Sequence, residues 1–195
     1  MSGFFHSFQT YRHRLSKIAS DPGVRWSWQA LWTVPLIIFV NDHLIEINSV
    51  DGQSMSPTLS PHFHETGSRD YLVVWKPGAT QNVRRGEIVA YWSPRDPENL
   101  KIKRVIATAG DTVYPKESRF KKELVPYGHI WVEGDNWRKT RDSNDYGPIS
   151  KALIIGKPKY IIWPWNRMGA LSTEWHHPRT RVVPGEAEIP KEFVD

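Results

Sequence analysis

The hydrophobic residues of this chain form two patterns, and the first is one long apolar run. It extends without a charged residue from Trp26 to Val40, with tryptophans clustered at its start as at a membrane interface. Extended to Ile47, it reaches the roughly 20 residues that a membrane-spanning helix needs, although Asp42 and Glu46 then fall inside it. The run predicts a helix over residues 26–47. A transmembrane anchor is favoured, and a helix buried in a protein core is the alternative.

The second pattern begins near residue 50 and consists of short apolar runs separated by turns. The runs are about five residues long or slightly longer and are rich in Val, Ile, Tyr and Trp, as strands are. Turn sequences rich in Pro, Gly and Asp separate them. They predict a mainly β domain, with strands at Tyr71–Trp75, Glu87–Trp92, Lys101–Thr108, Gly128–Val132 and Lys159–Trp163.

The two ends of the chain are polar. Residues 1–25 contain four cations and one acid, a net charge of +3, with serines and aromatics between them. Such a segment resembles a mitochondrial presequence or the basic flank of a membrane segment, and a solvated, disordered terminus is the alternative. Residues 173–195 contain three prolines and predict a loose tail. The predicted units are therefore a basic segment (1–25), an anchor (26–47), a mainly β domain (48–172) and a tail (173–195).

Composition narrows the class of protein. The chain has 195 residues, a net charge of +5, a mean hydropathy of −0.53 and no cysteine. These values exclude a polytopic membrane protein, a fully disordered chain, and any disulfide or thiolate chemistry. Since +3 of the charge lies in the first 25 residues, the basicity favours targeting and membrane topology over nucleic-acid binding.

Several common catalytic motifs are absent from the sequence. It contains no Walker loop, no GxGxxG and no HExxH, and Ser54 lacks the second glycine of a nucleophile elbow. Two histidine pairs, His62/His64 and His176/His177, lack a third ligand at supporting spacing and are interpreted as surface residues. No metal and no cofactor is predicted.

A serine and a lysine in particular settings remain as candidate chemistry. Ser54 stands shortly before Pro57, in a turn that would hold its hydroxyl exposed. On a strand, Lys103 would share one face with Val105 and Ala107, and burial there lowers the pKa of an amine. A neutral lysine is able to take the proton of a serine hydroxyl without a histidine. A turn serine and a solvated strand lysine are the alternative, and Lys101 is a second candidate base.

The residues around these two positions resemble the conserved boxes of the type I signal peptidases. Four segments occur in the order of that family. They are Ser54-Met-Ser-Pro-Thr-Leu59, Arg85-Gly-Glu-Ile-Val89, Lys103-Arg-Val-Ile106 with Gly110-Asp111, and Gly134-Asp-Asn136 with Asp142-Ser143 and Gly147. The resemblance covers roughly residues 26–172 and is strongest to the mitochondrial branch of the family. It implies a signal-peptidase-type β fold with one N-terminal transmembrane helix.

The resemblance also implies a role for individual residues. Ser54 would be the nucleophile and Lys103 the general base, with the oxyanion held by the backbone N–H of Ser54. Gly52 stands where bacterial relatives carry a serine, so a side-chain oxyanion donor is missing. Thr140 would place a hydroxyl near the lysine amine.

The same resemblance implies roles for residues of the fourth segment. Asp142, followed by Ser143, would structure the site by pairing with a cation. Bacterial relatives have an arginine where this chain has Asn144, so Arg104 is the alternative partner.

The resemblance further implies a location and partners. The protein would sit in the mitochondrial inner membrane by a single span, with its catalytic domain in the intermembrane space. It would cut precursors carrying sorting signals, bound along a strand edge, and form a heterodimer with a related subunit. Three tryptophans are interpreted as core residues, with seating on membrane lipid as the alternative: Trp92, Trp163 and Trp165. No nucleic acid is expected.

Two other functions compete with this interpretation. A self-cleaving repressor of the LexA type shares the Ser/Lys chemistry, but an apolar run lies where its DNA-binding helices would be. A noncatalytic module could instead use basic residues and tryptophans to bind anionic lipid or nucleic acid. Strong salt dependence of nucleic-acid affinity without peptidase activity would favour that module.

Overall fold

The computed structural model describes residues 22–115, 121–173 and 179–185. Most of the predicted basic segment over 1–25 lies outside these ranges, as do His176, His177 and the last part of the predicted tail. The chain divides into two compact units, Met1–Leu44 and Ile45–Asp195. The boundary falls close to the predicted end of the anchor.

The first unit is described as one helix, α1, which spans Pro22–His43 and contains Pro35. Its described large apolar side chains are exposed: Trp26, Leu31, Trp32, Val34, Leu36, Ile37, Ile38 and Phe39. No helix among the described residues is both long enough and apolar enough to cross a membrane. The predicted end at residue 47 is wrong, because Ile45 and Ile47 alternate with polar residues and form a strand instead.

The second unit is built around one eight-stranded antiparallel sheet. Its strand order is β1-β2-β9-β3-β4-β7-β8, and β10 pairs with β9. All five predicted strands are confirmed, two of them with earlier starts. The strands are β1 (Ile45–Ser49), β2 (Tyr71–Trp75), β3 (Ile88–Ser93), β4 (Asp96–Thr108), β7 (His129–Glu133), β8 (Ile149–Ser150), β9 (Ile154–Trp163) and β10 (Gly169–Ala170).

A smaller sheet of three short antiparallel strands completes the unit. Its order is β11-β5-β6, with β5 at Thr112–Tyr114, β6 at Glu123–Leu124 and β11 at Arg181–Val183. Strand β11 lies inside the segment that the sequence predicts as a loose tail. The prediction of a loose tail is therefore wrong for this part of the segment, because Arg181, Val182 and Val183 pair with β5. Two one-turn helices, α2 (Phe63–Thr66) and α3 (Ser143–Tyr146), lie in the connections.

Three apolar clusters lie in the core of this unit, and one of them supports the segment that carries Ser54. Met55 and Leu59 are almost completely buried there against Leu72 and Val74 of β2. A second cluster lies around Val89, Val105 and Val132 of β3, β4 and β7, and a third surrounds Trp131. The apolar contacts between the Ser54 segment and β2 therefore fix this segment relative to the sheet.

The tryptophans that were interpreted as core residues lie at the surface. Trp92, Trp163 and Trp165 are 41%, 46% and 74% exposed. Trp92 points away from the core because its strand neighbours Tyr91 and Ser93 occupy the buried face. Core packing is therefore wrong for all three.

The packing of β11 in the small sheet predicts that substitutions in this strand change the free energy of unfolding. Val182 packs against the cluster around Trp131, whereas its neighbour Val183 is 40% exposed. Val182→Asp would place a charge against apolar side chains and should lower the free energy of unfolding by about 1–3 kcal/mol. Val183→Asp is the matched control and should change it by less than about 0.5 kcal/mol. Urea denaturation measures both; equal effects would contradict the strand.

Candidate active site

Ser54 lies in a turn that follows β1 and is held from both sides. Met55 is buried behind it, and the Ser54 carbonyl accepts a hydrogen bond of 3.0 Å from the N–H of Asn136. This contact depends on Gly134, since a Cβ there would collide with the Ser54 carbonyl and with Thr140 Oγ1. The Ser54 turn is thus positioned by the Gly134–Asn136 box.

Lys103 points from β4 toward the Ser54 side chain. Its Nζ donates to Ser54 Oγ at 2.6 Å and to the carbonyl of Ile102 at 3.1 Å, and the residue is 2% exposed. The pKa of Lys103 is lowered from 10.5 to about 8, chiefly because the amine is buried, and the charge of Lys101 contributes to the lowering. Asp142 and Asp135 act in the opposite direction. No hydrogen bond joins Lys101 to Ser54 among the described residues.

Arg104, the next residue on β4, faces away from Lys103 and forms a buried ion pair. Its Nε and Nη2 donate to the two carboxylate oxygens of Asp135 at 2.9 and 2.7 Å. Its Nη1 donates to the carbonyls of Gly86 and Ser172. Asp135 also accepts from Thr58 Oγ1 at 2.6 Å. This network joins one residue from each of the four boxes named above.

Asp142 makes different contacts from those implied by the resemblance. It is buried and caps α3, with one oxygen accepting from Gly134 N at 3.0 Å and the other from Asn144 N and Nδ2. No ion pair to Asp142 occurs within the described residues, and Arg104 pairs with Asp135 instead. The predicted cation partner is therefore wrong. Backbone N–H groups and the Asn144 amide compensate the buried carboxylate in place of a cation.

The remaining predicted site residues lie near this centre in different roles. Ser143 is fully buried, and its Oγ accepts from Val132 N at 3.0 Å, which ties α3 to β7. Thr140 Oγ1 is buried beside Gly134 but has no hydrogen-bond partner, so the expected contact with the lysine amine is not made. Gly52 has φ +98°, and open space surrounds the position of a Cβ there.

A cleft of about 770 Å³ opens at Ser54 and Lys103. One wall is formed by the end of β1 and the turn after it, and the other by β4 from Asp96 to Lys103. Strand β1 lies at the edge of the sheet, and β7 pairs with β4 only from Arg104 onward. Both walls therefore carry strand edges that have no neighbouring strand in the part of the chain that the structure describes, and an extended peptide is able to add to such edges.

Comparison with known proteins identifies the family. Residues 23–121 match the family described as signal peptidase, peptidase S26. The chain is 40% identical to mitochondrial inner membrane protease subunit 2 of Saccharomyces cerevisiae, over 72% of this chain and 80% of the yeast protein. It belongs to the signal peptidase family, peptidase S26. The protein is therefore a serine peptidase, which excludes the noncatalytic alternative.

Other relatives of this signal peptidase carry related names. Subunit 2 of the human mitochondrial inner membrane protease is 38% identical over 72% of this chain and 79% of that protein. Human subunit 1 is also 38% identical, over 62% of this chain and 70% of that protein. Among solved structures, signal peptidase I from Enterococcus faecalis V583 aligns with a TM-score of 0.36 at 23% identity, covering 40% of this chain and 97% of that chain.

The roles of two buried acids of the signal peptidase were not predicted from the sequence. Asp135 was named only as part of the fourth segment, with no contact assigned to it, and its place directly after Gly134 in that segment was the only indication of a role. Glu133 was not considered, although it ends a buried strand. It accepts from Trp131 Nε1 and Asn144 Nδ2, both at 3.0 Å, and from Thr180 Oγ1, and burial raises its pKa. It therefore connects the segment before β11 with the Asp142 cap.

The buried ion pair generates a prediction about stability. Arg104→Met leaves Asp135 buried without its cation and should lower the free energy of unfolding by about 3–5 kcal/mol. Adding Asp135→Leu removes the unpaired charge and should restore part of that loss. Chemical denaturation of both single variants and the double variant measures the coupling between them. Additive losses would contradict an energetic link between the two side chains.

Proposed function

We propose that this signal peptidase cleaves peptide bonds by a Ser54/Lys103 dyad. The observation that carries the proposal is the 2.6 Å hydrogen bond from the buried Lys103 amine to Ser54 Oγ. A lysine with a pKa of about 8 is partly neutral near neutral pH and is then able to accept a proton. In this proposal Ser54 Oγ is the nucleophile, and the Lys103 amine acts as the base because it is buried.

The reaction proceeds in two stages. Neutral Lys103 takes the hydroxyl proton while Ser54 Oγ attacks the scissile carbonyl carbon, and the resulting ammonium gives the proton to the leaving amine. This breaks the peptide bond and leaves an ester on Ser54. Lys103, neutral again, takes a proton from water, whose oxygen attacks the ester. Collapse of that intermediate releases the carboxylic acid and returns the proton to Ser54 Oγ.

The developing oxyanion is bound by the backbone N–H of Ser54 in this proposal. Among the described residues that N–H has no hydrogen-bond partner, so it is available to a substrate. Gly52 contributes no side-chain donor, and its φ of +98° disfavours a serine in this position. Stabilisation of the oxyanion would therefore rest mainly on the backbone.

The proposed substrates are precursors with sorting signals for the mitochondrial intermembrane space. They would bind in extended form between the free edges of β1 and β4, where backbone pairing supplies affinity without regard to sequence. Small pockets beside Ser54 would then select the residue before the cut. The names of the relatives support this substrate class, and the two strand edges support the binding mode.

The proposed location is the mitochondrial inner membrane, with the catalytic domain in the intermembrane space and α1 as the single attachment. The exposed apolar side chains of α1 support contact with lipid. We further propose a heterodimer with a related subunit, since relatives are named as subunits 1 and 2 of one protease. Alkaline extraction of mitochondrial membranes tests the attachment, and release of the protein into the supernatant would contradict an embedded helix.

The dyad predicts the outcome of single substitutions. Ser54→Ala and Lys103→Met should each reduce cleavage of a precursor at least about a thousandfold, since each removes a group that takes part in bond making. Ser56→Ala, in the same turn, and Lys121→Met, on an exposed lysine, are the matched controls and should retain activity. Circular dichroism verifies folding of all four. Normal processing by either dyad variant would overturn the proposal.

The lowered pKa of Lys103 predicts the pH dependence of the rate. The folded-state value of about 8 lies below 10.5, so the neutral base accumulates as pH rises through about 8. Below that midpoint kcat/KM should rise about tenfold per pH unit, and above it the rate should level off. Lys101→Met removes a nearby positive charge and should move the midpoint to higher pH. A rate independent of pH between about 6 and 9 would contradict a lysine base.

A further inference from the structure

Several cations line the cleft around Ser54 and Lys103. Lys101 extends from β4 on the same face as Lys103, and Lys139 and Arg141, on either side of Thr140 in the sequence, also line the cleft. None of these three cations forms an ion pair within the described residues. Unneutralised charge of one sign in a cleft attracts a partner of the opposite sign.

The carboxylates that line the same cleft do not neutralise these cations. Asp51 is paired with Arg69 at 2.7 Å, and Asp96 accepts from the Asn99 amide. A fourth cation, Arg95, donates to the backbone carbonyl of Asp145 and stacks over Tyr146. Among the described residues, the cleft therefore holds four cations without an acidic partner, Lys101, Lys139, Arg141 and Arg95, against one carboxylate without a cationic partner, Asp96.

A second, independent feature lies in the wall formed by β1. Asn48 lines the cleft, and its Nδ2 is buried without a hydrogen-bond partner. A buried donor without an acceptor costs about 1–3 kcal/mol, so it favours a ligand that brings an acceptor. Either a side-chain oxygen or a backbone carbonyl of a bound substrate would be an acceptor for that donor.

We propose that Lys101 selects precursors that carry an acidic side chain close to the scissile bond. This inference rests on the proposed peptidase activity of the Ser54/Lys103 dyad. On a strand, side chains two residues apart lie on one face about 6–7 Å from each other. Lys101 is therefore placed to meet a substrate side chain near the cut and not the scissile carbonyl itself, which lies at Lys103. Lys139 and Arg141 add attraction at longer range.

Matched peptides test this selection with the full-length protein in detergent micelles. The peptides are variants of one cleavable, internally quenched sequence. Each variant carries Gln, Glu or Lys at one of the three positions on either side of the cut. At one or more positions the Glu peptide should be cut with a kcat/KM about two- to fivefold above the Gln peptide. The ratio should fall as salt is raised, because salt screens charges.

Substitution of Lys101 assigns the preference to this residue. Lys101→Met should bring the Glu-to-Gln ratio close to one, and Lys101→Glu should make the Lys peptide the better substrate. The inverted preference also shows that the variant is folded. Lys121→Met, an exposed lysine outside the cleft, is the matched control and should keep the wild-type ratio.

The outcomes separate this inference from the proposed function. Equal rates for Glu and Gln peptides at every position, or a preference that persists in Lys101→Met, would overturn the selection while leaving the peptidase in place. Absence of any cleavage by the wild type, with no difference from Ser54→Ala, would overturn the peptidase proposal and the selection with it.

Discussion

The buried ion pair between Arg104 and Asp135 is the contact on which the arrangement of the site depends. Removal of both charges from water is costly, and the pair offsets that cost through two parallel hydrogen bonds and further donors on each side. Arg104 and Lys103 are consecutive on one strand and point to opposite faces. A guanidinium fixed on one face therefore fixes the position of the amine on the other.

The partner of that pair acts on the nucleophile in the same way. Asp135 stands between Gly134, which allows the Ser54 carbonyl to approach, and Asn136, whose N–H bonds that carbonyl. Thr58, in the turn that carries Ser54, donates to Asp135 as well. The ion pair thus joins the segment bearing Lys103 to the segment bearing Ser54, and the 2.6 Å contact between these two side chains requires both segments to be fixed.

Much of the fold was predictable because its physical signals are local. Short runs of β-branched and aromatic residues between turns predicted the central strands. The end of α1 was missed where alternation replaced an unbroken apolar run, and its start at Pro22 lies four residues before the predicted one. The pairing of Arg104 with Asp135 was not predictable in this way, since the two residues are 31 positions apart in the chain. The contacts of Asp142 were also missed, although Asp is a preferred N-cap residue and Asp145, three positions later, completes a capping box. The strand at Arg181–Val183 was hidden by its polar surroundings.

The two unpaired strand edges that face the cleft have a consequence for the protein without a substrate. Exposed edges with free N–H and C=O groups invite pairing with any extended chain, including that of another molecule. A bound precursor would occupy both edges and act for a time as a strand of the peptidase's own sheet. Occupancy would then stabilise the folded domain by mass action, so the proposed substrates would protect the protease that cleaves them. By the same logic, the protein without substrate would be the form most exposed to aggregation and turnover.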